Sequence, residues 1–483
     1  MKTSTTPRRF LSANKFSFLL LFTLSAFVIV GFMSCEDSDP NVVENDEEEE
    51  SAQYYAFRNA VNLPPEDWDG PVFELSDNYP TELPEGGDDM PWMQIDVDFN
   101  DKNPDWTTGP WKDYINAIIE YAFQGQDPNL TNESGWKSNV GGKDMWFHVP
   151  WMAYNPSAGR EFIHGCTSER IASVTDLDGN DVMLASGVGN LQHSSDGDAV
   201  THFETWAVGM YNEYAGYAFG QLFPESGVPT LDSDGLPKGL PFPNGTCVIK
   251  TLFTTASEKE VPFLKNAPEW TVNRHVMEGD TTYTCDRAPQ AVHLVQVDVA
   301  VVDPRSPSNW VFGTFAYNGT LDGATAFERL DPVGIQFAND SLTFPAVPES
   351  ESIAAYQSVL NNTMDIYEHF GCHGRLCGPV DNPQASCMSC HGGSYTAPMD
   401  QLDNMDPDTG NIPPIFYFPN MCETNDEQNK AFFSNRKYPE PYYPGMFEDD
   451  IPLDFSLQVQ VAFTQYKIFK INGKPDDCKP VTP

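Results

Sequence analysis

The chain has 483 residues, of which 70 are acidic and 27 basic, and its formal charge is −43 at pH 7. An acidic excess of this size excludes nucleic acid and anionic lipid headgroups as partners, because both would be repelled. With 40 Pro, 35 Gly, 10 Trp, 19 Tyr and 32 Phe, the composition predicts short strands joined by ordered loops around an aromatic core, not a helical bundle.

Residues 1–15 carry Lys2, Arg8, Arg9 and Lys15 and no acid, and an uncharged, largely apolar run follows from Phe16 to Ser34. That is the plan of an export signal. The run ends in Phe32, Met33, Ser34 and Cys35, which resembles the lipobox of bacterial lipoproteins, where cleavage leaves the cysteine as a lipidated N-terminus. Phe32 stands where leucine is usual, while Ser34 is a permitted small residue. An uncleaved anchor competes, since about 18 apolar residues just span a bilayer. The run, however, stops at a cysteine and continues into a linker without basic stop-transfer residues. Both readings place the body outside the cytoplasm and tied to a membrane. Lipidation of Cys35 predicts an outer-membrane-anchored lipoprotein on the periplasmic or cell-surface side, with a mature charge of −47 once the four N-terminal cations are gone. From Glu36 to Glu50, nine of fifteen residues are acidic. Such a segment buries nothing and serves as a spacer, and its place just after the cysteine resembles a lipoprotein surface-export signal.

Along the body, Trp111, Tyr114, Ile115, Ile118, Ile119 and Ala122 recur at three and four, which predicts a helix from Trp111 to Phe123. Strands are expected around Met145 to Trp151, His202 to Met210, Tyr217 to Phe223 and Cys247 to Thr254. His293, Val295, Val297, Val299 and Val301 alternate, the turn formers Asp303 and Pro304 follow, and Trp310 to Tyr317 reads as the partner strand. Ile353, Tyr356, Leu360, Met364 and Tyr367 suggest a helix from Ser352 to Phe370. Near the end, Phe455, Leu457, Val459, Val461 and Phe463 alternate like a strand. The expected fold is therefore mainly β with a few helices (α+β), a sandwich or a pair of sheets. Asp96, Asp98 and Asn100, and Asp176, Asp178, Asn180 and Asp181, place oxygen side chains at alternate positions as calcium sites do. Neither run has the distal bidentate Glu, and such runs also make ordinary turns.

Cys387, Met388, Ser389, Cys390 and His391 spell C-x-x-C-H, the attachment signature of c-type haem. Two thiols at that spacing can add across the two vinyl groups of one haem, and the adjacent histidine offers its imidazole to the iron as proximal ligand. A redox dithiol or half of a structural zinc site competes, with Cys372 and Cys377 as the second half. Export favours haem, since reduced cysteine clusters are less comfortable outside the cytoplasm. One motif predicts one covalent haem c and excludes a multihaem chain. Candidates for the sixth position are Met421 and Met446 on Pro-rich loops, His373 and His369 just upstream, the distant His164, or an open site. The other cysteines, Cys166, Cys247, Cys285, Cys372, Cys377, Cys422 and Cys478, allow three disulfides with one left over, Cys372 with Cys377 being the easiest pair by proximity.

The expected organisation is a signal segment 1–34, an acidic linker 35–52, a β-rich body 53–345 and a haem-carrying segment 346–483 with a C-terminal strand. A small cytochrome c of the common kind has one helix leading into the motif and another closing over it. Here a leading helix is expected, but Gly371 to Ser386 intervenes and the closing segment reads as a strand, so a haem loop on a β domain fits better. Segments from Gly159 to Thr167 with Glu169 and Arg170, Thr205 to Val208, Trp310 to Tyr317, and Gly378 through Gly392 resemble a group of bacterial cytochrome-c-like proteins of uncertain biochemistry. That resemblance, over roughly residues 90–470, implies haem binding and electron transfer and assigns no substrate. The expected function is a membrane-tethered monohaem cytochrome passing single electrons to a redox partner protein. One alternative is a haem-dependent oxidoreductase or peroxidase that uses the β body for substrate, and another is a surface ligand-binding lipoprotein whose motif holds a metal or a disulfide.

Overall fold

Valine at every second position from Val295 to Val301 builds the strand on which the structure is organised. The computed structural model describes residues 75–150, 166–173, 202–225, 227–278, 282–340, 355–364, 371–382, 385–398, 431–440 and 450–472, all within one unit, Glu50–Pro483. In chain order these residues form α1 (Trp111–Ala122), the two-stranded ribbon β1 (Asn139–Val140) and β2 (Lys143–Asp144), β3 (Cys166–Ser173), β4 (His202–Tyr211) and α2 (Glu213–Leu222). There follow β5 (Cys247–Thr254), β6 (Glu269–Glu278), β7 (Thr282–Val302), β8 (Trp310–Tyr317), β9 (Leu330–Gln336) and β10 (Ser358–Leu360). The C-terminal part adds α3 (Cys387–His391), β11 (Tyr395–Thr396), β12 (Ile451–Pro452) and α4 (Leu457–Asn472).

Eight strands make one open antiparallel sheet in the order β10-β9-β8-β7-β5-β4-β3, with β6 paired to the first half of the long β7. The mainly β, α+β class expected from the sequence holds, and the strands gather into this large sheet and two small ribbons. Because side chains alternate across a strand, β7 feeds two different layers. Val295, Val297, Val299 and Val301 enter a core with Ile115, Ile118 and Ile119 of α1, Ile249 of β5 and Ile335 of β9. On the other face Val302, Trp310 and Phe312 join Phe219 of α2 and Val459, Ala462 and Phe463 of α4 in a second core. Among the described residues no helix is long and apolar enough to cross a membrane.

Four expected elements are corrected. Tyr217 to Phe223 is not a strand but the second half of α2, where Ala215, Ala218, Phe219 and Leu222 form a buried stripe. Asn212 caps that helix and also accepts the Cys247 amide at 3.0 Å. Phe455 to Phe463 is not a strand either. Val459, Ala462, Phe463 and Tyr466 recur at helical spacing and are all buried, and Ser456 Oγ accepts the Val459 amide at 3.2 Å to start α4. In the expected helix Ser352 to Phe370, the described residues 355–364 carry β10, which pairs with β9. There the Asp340 carboxylate takes the amides of Tyr356 and Gln357 at 3.0 and 2.8 Å, so long-range bonds outweigh a weak local helical pattern. The described part of Met145 to Trp151 forms only isolated bridges at Phe147, to Ser76 and Tyr211. The helix at Trp111 and the strands at His202, Cys247, His293 and Trp310 are as expected.

The corrected register of α4 has a direct test. Position 462 would face solvent in an alternating strand whose odd-numbered residues are buried, but in the helix Ala462 is fully buried. Ala462→Asp should therefore cost about 3 kcal/mol or more in urea unfolding, since it buries a charge without a partner.

Candidate functional site

The face of the sheet that carries the second core is only partly apolar. Lys250 of β5 and Asp298 of β7 are register partners, and Gln296, Thr314 and Gln336 are fully buried polar residues on neighbouring strands. Gln296 Nε2 donates to Asp298 Oδ1 at 2.7 Å and to Asp381 Oδ2 at 3.0 Å, so one amide group joins two carboxyls. Gln296 Oε1 accepts the Val380 amide at 3.0 Å, and this brings the 378–382 loop down onto the sheet. The approach requires glycine at 378, where a Cβ would lie within 2.4 Å of the Gln296 amide. Thr314 Oγ1 donates to Asp298 Oδ1 at 2.9 Å. Burial, and next the nearby Asp381, push the Asp298 carboxyl up to about 8.

Helix α3 is the C-x-x-C-H motif itself, five residues long and fastened at its start. Ser386 caps it by accepting the Ser389 amide at 3.2 Å, and Ser389 Oγ accepts the Ser386 amide in return at 3.0 Å. Gln336 of β9 holds the same turn from the sheet, its Oε1 accepting the Met388 amide at 2.9 Å and its Nε2 donating to Ser386 Oγ at 3.2 Å. Before the helix, fully buried Arg375 donates to the carbonyls of Asn339, Cys372 and Asp340. Its guanidinium lies over the Phe433 ring at 4.3 Å, so the loop entering the motif is tied to the end of β9. These fastenings fix a helix too short to be stable alone.

The three motif side chains line one cavity with Tyr211, Phe242, Trp310, Phe312, Phe455, Lys250, Asp298 and Asp381. Its empty space, the open mouth included, is about 1040 Å³. Cys387 and Cys390 are free thiols and only partly buried, and Thr314 Oγ1 lies 3.9 Å from Cys387 Sγ. His391 Nδ1 is 3.0 Å from the Phe455 carbonyl oxygen, and its ring packs against Phe312 with centroids 4.9 Å apart. A carbonyl can only accept, so Nδ1 carries the proton and Nε2 keeps its lone pair. Burial lowers the His391 pKa to about 4, which keeps the imidazole neutral as a metal ligand requires.

This donor set fits a covalently attached haem. It offers two uncrosslinked thiols three residues apart on one helical turn, a neutral imidazole oriented by a carbonyl as metal-binding histidines are, and aromatic walls. It fits a redox dithiol poorly. Burial, then Asp381 and Asp298, push the Cys387 thiol well up, and burial with Asp381 takes Cys390 to about 12, whereas a redox dithiol needs a ready thiolate. Cys372 is disulfide-bonded while Cys377 is a buried thiol outside any disulfide. The pairing of Cys372 with Cys377, the easiest by proximity, is thus corrected, and Cys372 is unavailable as a zinc ligand. Among the described residues no group of three His, Cys, Asp or Glu side chains is placed to hold a metal.

Of the candidates for the opposite side of an iron, His373 sits on an exposed turn with φ 53° and is not among the cavity residues. Met421, Met446, His369 and His164 lie outside the described residues, as do Cys35 and the acidic run at Asp176. At the other acidic run, Asp98 Oδ1 accepts the Asn100 amide at 2.8 Å, an ordinary side-chain-capped turn. Sequence reasoning missed Gln296, Asp298 and Asp381. The available signal was a carboxylate and an amide interleaved among the valines of a buried strand. A scan against protein-family models finds no match, and comparisons with curated proteins and with solved structures find no similar protein.

The Asp298 carboxyl makes stability depend on pH with a definite sign. A carboxyl whose folded pKa exceeds its unfolded value holds a proton that the unfolded chain has released, so its contribution falls as pH rises through that interval. For Asp298 the interval runs from about 4, the ordinary aspartate value, to about 8. The stability difference between wild type and Asp298→Asn, from urea unfolding, should decline steadily across this range and be level outside it. A difference independent of pH would contradict the assignment.

Proposed function

We propose that this chain is an exported, lipid-anchored monohaem c-type cytochrome that passes single electrons outside the cytoplasm. Cys387 and Cys390 form the thioethers, and His391 is the proximal ligand through Nε2. The observation that carries the reading is the joint geometry of the motif: two free thiols and a histidine whose Nδ1 is held by the Phe455 carbonyl, all facing one aromatic-lined cavity. A haem bound there supplies one-electron chemistry at its iron. The protein's residues do the rest. Gln336 and Ser386 hold the motif in register, Phe312 packs against the imidazole, and the Phe455 carbonyl occupies Nδ1, which leaves the lone pair on Nε2 for the cofactor. The acidic charge of the chain suits a basic redox partner protein. Lipidation at Cys35 supplies the membrane tether, so no spanning helix is required of the folded part.

A second reading, a haem-dependent oxidoreductase or peroxidase, is favoured by one observation. Asp298 and Asp381 bring two carboxyls and a shared amide to the same cavity, and a carboxyl that keeps its proton near neutral pH can donate it to a bound reactant.

Expression with export and haem-maturation machinery should yield a band that stains for haem on a denaturing gel, with the absorption spectrum of a c-type cytochrome. Replacing both Cys387 and Cys390 by Ala should abolish the stained band. An unstained wild-type band under conditions that mature other c-type cytochromes would overturn the reading. Carbon monoxide binding by the reduced protein without ligand rearrangement favours the oxidoreductase, and a six-coordinate iron unreactive to it favours electron transfer.

A further inference from the structure

Asp454 and Phe455 both adopt left-handed backbone conformations, with φ 46° and 64°. Aspartate tolerates this region, but a bulky aromatic residue enters it only under constraint. Two such residues in succession need something to hold them, and the surroundings supply it. The buried Asp454 carboxylate accepts the Phe242 amide at 2.7 Å through Oδ2 and the Trp310 indole N–H at 3.1 Å through Oδ1. One side chain thus ties the turn to the start of β8 and to the loop before β5. On either side the chain is fixed as well. The Leu453 amide donates to the Ser394 carbonyl at 3.1 Å, and the Ser456 amide turns back to the Leu453 carbonyl at 3.0 Å as α4 begins. What this strained turn delivers is the Phe455 carbonyl, 3.0 Å from His391 Nδ1. A turn of ordinary conformation would direct that carbonyl elsewhere.

We infer that Asp454 is a positioning residue for the His391 imidazole: by clamping Trp310 and Phe242 it holds the left-handed turn that presents the Phe455 carbonyl to Nδ1. The clamp fixes the tautomer and the ring plane, and leaves Nε2 as the coordinating nitrogen. The inference rests on the haem reading for its functional consequence, but not for its geometry. A carbonyl accepting from Nδ1–H makes the imidazole a stronger electron donor, which stabilises the oxidised iron. Loosening the clamp therefore raises the reduction potential.

The test compares full-length wild type with Asp454→Gly, Asp454→Asn and Trp310→Phe. Glycine keeps the left-handed backbone accessible while removing the carboxylate, asparagine keeps one acceptor and the turn preference, and Trp310→Phe removes one donor only. In the haem-loaded protein, Asp454→Gly should raise the midpoint potential by the equivalent of about a tenfold change in the one-electron equilibrium, ~59 mV. Asn and Trp310→Phe should shift it by less, in the same direction. Ile118→Ala, in the core on the opposite face of the sheet, should lower stability without moving the potential. In the haem-free protein, nitrogen-15 NMR should show His391 protonated at Nδ1 in wild type and a mixture of tautomers in Asp454→Gly. Should the wild type take no haem, the haem reading fails while the tautomer comparison still decides this inference. A wild-type potential in every Asp454 variant, or an unchanged tautomer in Asp454→Gly, would overturn it. If Asp454→Gly does not fold, the potential and tautomer of Trp310→Phe and Asp454→Asn decide in the same way.

Discussion

The pleat of β7 is the constraint from which the rest of the structure follows. A strand sends successive side chains to opposite faces, and here Val295, Val297, Val299 and Val301 go to the α1 core while Asp298 lines the cavity. A slip of one residue would put Asp298 into the valine layer and a valine beside Cys387. Each face therefore enforces the register of the other. The antiparallel pairings with β5 and β8 extend this control, placing Lys250 opposite Asp298 and Thr314 opposite the same residue on the other side. The site is thereby set on rigid elements, and the α1 core, with Trp111 stacked on Phe337 at 4.8 Å, supplies the apolar burial that stabilises it.

The sequence showed periodicity most clearly where one period had no competitor. Trp111 to Ala122 has its buried residues at three and four, and it forms the expected helix. The valines from Val295 to Val301 of β7 are β-branched and strictly alternate, and they form the expected strand. Two of the failures have different causes. Residues 455–466 satisfy both periods, since Val459 and Phe463 belong to either pattern, and only the burial of Ala462 and Tyr466 distinguishes them. Residues 355–364 carry a helical pattern, but the open edge of β9 and the Asp340 carboxylate offer their backbone better partners than a local helix would. No short window of sequence contains that information.

The site divides in the same way. Cys387, Cys390 and His391 were legible because their chemistry is encoded in consecutive residues that one helical turn assembles. Asp298, Asp381, Gln296 and Phe455 were not, because they meet the motif only after β7, the 378–382 loop and the start of α4 have been brought together. Phe455 is separated from His391 by 64 residues, and the atom that matters is a backbone oxygen, which any residue type would provide. A side-chain code cannot announce such a partner. Its trace in the structure is conformational, the positive φ of a phenylalanine.

The face of the sheet that carries the motif gathers polar groups and strain around the site: the partly buried carboxyls of Asp298 and Asp381, the Lys250 and Asp298 register pair, a short helix fixed by a capping box and two left-handed residues in succession. Each of these costs free energy relative to an apolar, regular alternative. What they share is proximity to Cys387, Cys390 and His391. The two carboxyls add to burial in keeping the Cys387 thiol protonated, the left-handed turn keeps His391 Nδ1 occupied, and burial keeps the imidazole neutral against the pull of Asp381. Among the chemistries that the five-residue motif allows, that combination favours the proposed haem attachment, with His391 coordinating through Nε2, over a redox dithiol.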